Sequence, residues 1–142
     1  MSDGVDPTRV LILCTGNSAR SQMAEGWLRK LGASRFLVFS AGTKPAERVN
    51  SLAVRVMAEA GVDISAQYPK HLELYLREPF DYVISVCDNA NEACPVFPGG
   101  KKRLHWGVDD PTAVSGSEEE KLAAFRRTRD EIRARFAELA AR

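Results

Sequence analysis

Short continuous apolar runs alternate with segments of helical periodicity in the first 61 residues. The runs RVLILC (9–14) and FLVFSAG (36–42) suit strands that are buried on both faces. Each is followed by helix-forming sequence, SQMAEGWLRKLG up to Gly32 and ERVNSLAVRVMAEAG up to Gly61, and a glycine commonly ends a helix. This pattern predicts two consecutive strand–helix units.

The second half of the chain continues the alternation. YVISVC (82–87) has the pattern of a third buried strand, and Ser117 is placed to cap a long C-terminal helix. The apolar stripe of this helix, which we expect to pack on the sheet, contains Leu122, Phe125, Ile132, Phe136 and Leu139. Together the elements predict an α/β fold, a three-layer sandwich with a central, mostly parallel four-stranded sheet flanked by helices.

Composition narrows the class of protein. The 142 residues fit one domain, and 20 basic against 19 acidic groups give a net charge of +1, which does not favour nucleic-acid binding. We expect residues 1–8 to form a flexible leader and residues 9–142 a single domain.

No apolar run reaches the roughly 18 residues that span a bilayer, so we expect no membrane association. Three cysteines suit free thiols in a reducing compartment, hence a cytoplasmic protein, which we expect to be a monomer.

The loop CTGNSAR follows the first strand directly and carries the candidate chemistry. Cys14 stands at the carboxyl end of a parallel strand, where α/β sheets bind ligands. The loop then enters a helix, so its N–H groups can face an anion, and Gly16 permits a tight turn. Arg20 would grip a tetrahedral oxyanion with its planar fork, and the same field would lower the pKa of the Cys14 thiol. Ser21 could donate its hydroxyl to the thiolate. The predicted oxyanion-binding residues are Thr15, Gly16, Asn17, Ser18, Ala19 and Arg20. The alternative is a buried strand-end cysteine beside a surface arginine.

The other two cysteines, Cys87 and Cys94, lie seven positions apart after the third strand. In a helix their Cα atoms would be about 10 Å apart, whereas a disulfide requires less than about 7 Å, so a bridge would need local unwinding. Such a rearrangement could present a disulfide to an external dithiol. The alternative is two buried thiols and a turn. Two histidines are too few for a histidine metal site, and we expect His105 to be a packed ring.

Five motifs in order, LCTGNSARSQMAEGW, FSAGT, AGVDIS, VCDNANEACP and HWGVDDP, resemble the arsenate reductases of the low-molecular-weight phosphatase fold, in the thioredoxin-coupled branch. The resemblance implies that Cys14 attacks arsenate, that Arg20 and Ser21 bind and activate, and that Asp110 is the general acid. Asp109 and Asp110 could instead be turn formers, since aspartate before proline often opens a turn. We prefer Asp110 as the acid because it directly precedes the proline.

The resemblance further implies a thiol relay. Cys87 attacks the arsenylated Cys14, arsenite leaves, and Cys94 resolves the resulting bond into a Cys87–Cys94 disulfide that thioredoxin reduces, with no bound cofactor. A phosphotyrosine phosphatase with the same loop is the first alternative, although it would not need the Cys87 and Cys94 pair. A non-catalytic oxyanion or redox sensor is the second.

Two positions depart from the family pattern. Many relatives carry a further cysteine where this chain has Ala19, and the relay does not require it. Some relatives bind potassium through an asparagine, a glutamate, a serine and an aspartate. Asn17, Glu25 and Ser40 match the first three, but Lys70 occupies the fourth position. We therefore expect no bound potassium and no other bound metal.

Overall fold

The computed structural model describes residues 6–87 and 97–141. Its four strands are β1 (Thr8–Cys14), β2 (Phe36–Gly42), β3 (Phe80–Ser85) and β4 (Gly100–His105). They form one sheet in the order β2-β1-β3-β4, and every neighbouring pair is parallel. The α/β class and the parallel sheet are thus confirmed. β1 begins at Thr8, inside the predicted leader, whose first five residues lie outside the described part of the chain.

Three helices accompany the sheet: α1 (Arg20–Gly32), α2 (Ser51–Glu59) and α3 (Glu118–Ala140). Asn50 caps α2 by accepting from two backbone N–H groups, and Ser117 forms a capping box with Glu120 at the start of α3. α3 packs chiefly against α1 and α2, and its apolar stripe belongs to the same buried core as the strand residues. Among the described residues no helix is long and apolar enough to cross a membrane.

β1 lies at the centre of the core and sets the position of the candidate loop. Its residues 10–13 are fully buried, as expected for an interior strand of a parallel sheet that helices cover. The register pairs Cys14 with Gly42 at the end of β2, and Leu13 with Ser85 at the end of β3. The carboxyl ends of three strands therefore meet at one edge of the sheet.

The fourth strand, β4, was not located by the apolar pattern. Its sequence, GKKRLH, carries three consecutive basic residues that are exposed at the edge of the sheet. Lysines on an edge strand hinder pairing with a second chain. Half-buried strands are recognised in a sequence from alternating apolar and polar residues, and three consecutive basic residues interrupt that alternation.

Candidate active site

Residues 14–20 form a tight loop, and the carbonyl oxygens of residues 15–18 point away from its centre. Four successive carbonyls each accept a hydrogen bond from outside the loop. These bonds, with N···O distances of 2.8 to 2.9 Å, join Lys44 to Thr15, Ala46 to Gly16, Gln22 to Asn17 and Asn50 to Ser18. Because the N–H and C=O of a peptide unit point in opposite directions, the following N–H groups turn inward. The N–H groups of residues 16–19 therefore surround the end of β1, as the predicted oxyanion site requires.

Cys14 lies at the bottom of this loop and is almost completely buried. Its Sγ is 2.8 Å from Ser21 Oγ and accepts the backbone N–H of Asn17 at 3.2 Å. The side chain of Asn17 donates through Nδ2 to Ser21 Oγ at 2.7 Å. Because Ser21 Oγ accepts this bond with a lone pair, its hydroxyl hydrogen is available to the sulfur of Cys14. This is the contact expected from the sequence.

Burial raises the pKa of the Cys14 thiol above its usual value. The hydrogen bonds from Ser21 oppose this increase, the nearby Cys87 adds to it, and the charge of Arg20 opposes it less. Arg20 and the hydrogen bonds lower the pKa of Cys14 as predicted, but the net pKa is raised. The physical reason is that desolvation of a fully enclosed sulfur outweighs the hydrogen bonds and the guanidinium charge.

Arg20 bridges the loop to the segment that contains Asp110. Its Nη1 donates to the carbonyl oxygen of Val108 at 2.8 Å, and its Nη2 lies 3.6 Å from Asp110 Oδ2. The other oxygen of Asp110, Oδ1, accepts from the backbone N–H and the hydroxyl of Thr112. Asp110 is thus both a turn former and a neighbour of the predicted oxyanion site.

Cys87 follows β3 and reaches the same loop from the neighbouring strand. Its buried Sγ accepts the backbone N–H of Thr15 at 3.2 Å and lies 3.4 Å from the Thr15 hydroxyl. Thr15 is among the predicted oxyanion-binding residues, and in this structure its N–H donates to Cys87. Two free thiols therefore lie beside one loop residue. Cys94 lies outside the described residues.

Gly42 is a site residue that sequence reasoning missed. A Cβ at this position would overlap the carbonyl oxygens of Thr15 and Cys14, because the end of β2 passes directly against the loop. Gly42 also donates its N–H to the carbonyl oxygen of Lys70 at 2.8 Å. The motif FSAGT could have indicated it, since a glycine at a strand end often marks a close backbone approach.

The histidines and the second aspartate lie apart from this arrangement. His105 is exposed, and its Nδ1 is 2.9 Å from Ser85 Oγ, so the expectation of a packed ring is wrong. The packed ring is its neighbour Trp106, which meets Phe136 edge-on. Asp109 is exposed. Within residues 6–87 and 97–141 no group of three His, Cys, Asp or Glu side chains is arranged to hold a metal ion.

Comparison with known proteins places this site in a family. The model of low molecular weight phosphotyrosine protein phosphatases matches residues 9–142. An arsenate reductase of Halalkalibacterium halodurans is 48% identical over 123 residues, 87% of this chain and 88% of that protein. A solved arsenate reductase in the phosphate binding state has a TM-score of 0.81 at 33% identity, covering 94% of this chain and 97% of the other. A thioredoxin-dependent arsenate reductase of Corynebacterium glutamicum has a TM-score of 0.73 at 28% identity, covering 96% of this chain and 61% of the other. The chain belongs to the low molecular weight phosphotyrosine protein phosphatase family and is similar to the arsenate reductases within it.

Proposed function

We propose that this chain reduces arsenate to arsenite, with electrons from its own thiols that a thioredoxin-type dithiol protein then restores. The observation that carries the proposal is the position of Cys87, whose sulfur is bound by Thr15, the residue next to Cys14. A hydrolase needs one nucleophile at this loop, whereas a reductase needs a second thiol, because two thiols together supply the two electrons that arsenic gains. The names of the relatives support the same reaction.

The first step is attack on arsenic. The Cys14 thiolate forms a sulfur–arsenic bond while the inward N–H groups and Arg20 bind the arsenate oxygens, as they would bind any tetrahedral oxyanion. One arsenate oxygen leaves as water. The proton that it needs is the one that the Cys14 thiol gives up on attack, and Asp110, beside Arg20, is placed to pass this proton on.

The second step reduces arsenic. The Cys87 sulfur attacks the Cys14 sulfur, a disulfide forms, and the electron pair of the sulfur–arsenic bond remains on arsenic, which leaves as arsenite. Two thiols have then lost two electrons and arsenic has gained two. Cys94 next attacks Cys87, which frees the Cys14 thiol and leaves a Cys87–Cys94 disulfide for an external dithiol. A chain that depends on free thiols suits a reducing compartment, so we expect it in the cytoplasm. We also expect it to be a monomer.

The direct test is consumption of NADPH that depends on arsenate, with thioredoxin and thioredoxin reductase present. We expect turnover by the unchanged chain and none by Cys14→Ser, because a serine hydroxyl is not ionised near neutral pH. The variant should keep its circular dichroism spectrum. Reduction of arsenate by Cys14→Ser at the unchanged rate would contradict the assignment of the nucleophile.

Phosphotyrosine phosphatase activity is the second candidate, and the match to the phosphatase family model favours it. Phosphate and arsenate share shape and charge, so the loop, Arg20 and Asp110 alone could serve either substrate. Brisk hydrolysis of p-nitrophenyl phosphate with no arsenate-dependent NADPH consumption would establish the phosphatase and exclude the reductase.

A further inference from the structure

A buried carboxylate is linked by hydrogen bonds to the loop that holds Cys14. Glu25 of α1 has a side chain only 4% exposed, and its Oε1 accepts the hydroxyl of Ser40 at 2.5 Å. Ser40 in turn accepts Asn17 Nδ2 at 3.0 Å. Because Asn17 also contacts Ser21 Oγ, a continuous series of hydrogen bonds joins Glu25 to Cys14. Burying a carboxylate costs free energy that a nearby positive charge and hydrogen bonds must compensate.

In some proteins that the chain resembles, a potassium ion provides that charge. The matching residues here are placed differently. Asn17 Oδ1 accepts the backbone N–H of Lys70 at 2.9 Å. Both carboxylate oxygens of Glu25 are engaged, one by Ser40 and the other by Arg29. A hard cation needs several oxygen lone pairs that point to one position. The lone pairs here are directed at protein donors, and the residues do not fit a potassium ion.

Two positively charged side chains, Arg29 and Lys70, line the cleft that Glu25 also lines. Arg29 Nη2 lies 2.8 Å from Glu25 Oε2, one helical turn along α1, and also donates to the Val38 carbonyl at 2.9 Å. Lys70 is half-buried, its Nζ donates to the Tyr68 carbonyl at 2.6 Å, and it lies 4.8 Å from the centre of the Tyr68 ring. Arg29, Lys70 and Glu25 line one cleft of about 660 Å³.

We propose that Arg29, assisted by Lys70, permanently supplies the positive charge that Glu25 requires, so that the loop is held in place without an alkali-metal ion. The hydrogen bonds from Glu25 through Ser40 and Asn17 then carry this support to the loop that holds Cys14. The inference concerns the stability of the loop and stands apart from the proposed reaction, because its test does not use turnover.

The first test compares thermal unfolding of the unchanged chain in potassium chloride and choline chloride at equal ionic strength. We expect the two Tm values to agree within about 1 °C, since no potassium-specific state exists to be stabilised. A Tm that is several degrees higher in potassium chloride would overturn the proposal, because it would show a bound ion.

The second test removes the internal charges. Arg29→Met keeps the length of the side chain but leaves Glu25 without its closest cation, and we expect the Tm to fall by more than about 5 °C in both salts. Lys30→Met is the matched control: its ammonium lines the same cleft but donates to the Gly61 carbonyl, so its loss should change the Tm by less than about 2 °C. Equal losses in the two variants would contradict a special role for Arg29.

A double variant tests the replacement itself. Arg29→Met combined with Lys70→Asp removes both side-chain cations, frees Glu25 Oε2 and brings a second carboxylate into the cleft, so a potassium ion should now compensate the negative charge. We expect its Tm to be several degrees higher in potassium chloride than in choline chloride. A double variant with the same Tm in both salts would contradict the claim that Arg29 and Lys70 occupy the place of the ion.

Discussion

Asn17 decides the direction of the hydrogen bonds around the predicted nucleophile. The backbone N–H of Lys70 can only donate, so it fixes Oδ1 on its own side and leaves the two hydrogens of Nδ2 for Ser21 and Ser40. Asn17 has a φ of 48°, a left-handed conformation that asparagine tolerates better than most residues. One residue thus shapes the loop turn and orients the Ser21 hydroxyl toward Cys14.

The raised pKa of Cys14 predicts how its reactivity depends on pH. Burial favours the neutral thiol, so the thiolate fraction is small near neutral pH and increases as the pH rises. Alkylation by iodoacetamide, followed by mass spectrometry at Cys14, should therefore accelerate toward alkaline pH. Ser21→Ala removes the hydrogen bond that opposes the increase, so the whole profile should move to higher pH.

Ser65→Ala provides the control for this experiment, because Ser65 is exposed and lies in a different segment. We expect its alkylation profile to match that of the unchanged chain. A profile of Ser21→Ala that moved to lower pH would show that the hydroxyl of Ser21 stabilises the neutral thiol instead.

Arg20 is expected to contribute through the shape of its guanidinium as well as its charge. Two of its nitrogens already reach separate oxygens, on Val108 and Asp110, a geometry that one ammonium cannot reproduce. Arg20→Lys should cost about 2 kcal/mol or more in kcat/KM for arsenate, which is roughly a thirtyfold loss. Steady-state NADPH consumption measures it. A loss of less than about twofold would indicate that Arg20 does not touch the reacting oxyanion.

Single residues were predictable where the chemistry itself restricts the choice. Cys14, Arg20 and Ser21 were proposed because a thiol, a fork of donors and a hydroxyl follow a buried strand, and the structure brings them to one loop. Arg29 and Thr15 show the limit. Their contacts with Glu25 and Cys87 depend on how segments far apart in sequence meet, and local pattern carries no information about that.

Elements were predictable according to how deeply they are buried. β1 and β2 were located from continuous apolar runs because both strands contribute to the core. β4 was not located, because it is an edge strand with exposed basic residues and lacks the apolar run of a core strand. The contacts of α3 with α1 and α2 were not predicted, because an apolar stripe does not tell which elements it will meet.

The approach of β2 to the loop gives a prediction at the scale of elements. Gly42→Ala would place a methyl group against the carbonyl oxygens of Thr15 and Cys14, so β2 and the loop must separate. We expect a loss of about 1–3 kcal/mol in the free energy of unfolding by urea. Gly16→Ala is the control for stability, since the nearest atom to a Cβ there is a flexible hydroxyl at 3.5 Å. Equal losses in both variants would show that overlap with the loop is not the cause.

At the scale of the whole molecule, the parallel sheet brings together groups that lie far apart in sequence. Cys14 ends β1, Gly42 ends β2, and Cys87 follows β3, while the Val108 N–H donates to Val86 and so holds the Asp110 segment at the same edge. Parallel strands place all their carboxyl ends on one side. The reaction that we propose needs contributions from each of these segments, which is why no single motif identifies it.

The relay predicts different failures for the two remaining cysteines. Cys87→Ser should stop even the first turnover, because no thiol would then be in place to displace arsenite from Cys14. Cys94→Ser should release one arsenite per protein in a single turnover and then stall with thioredoxin, because its Cys14–Cys87 disulfide would remain within the loop. Arsenite release after mixing with arsenate, without a reductant, separates the two variants.

Mass spectrometry of the oxidised proteins identifies the bonds. A Cys14–Cys87 disulfide should accumulate in Cys94→Ser, and a Cys87–Cys94 disulfide in the unchanged chain. Hydrolysis of p-nitrophenyl phosphate tests whether each variant keeps an intact loop, since that reaction needs Cys14, Arg20 and an acid but no second thiol. If neither disulfide forms while the phosphate ester is cleaved rapidly by all three proteins, the thiols do not exchange electrons with the substrate. The position of Cys87 beside Thr15 would then be structural, and the chain would be a phosphatase.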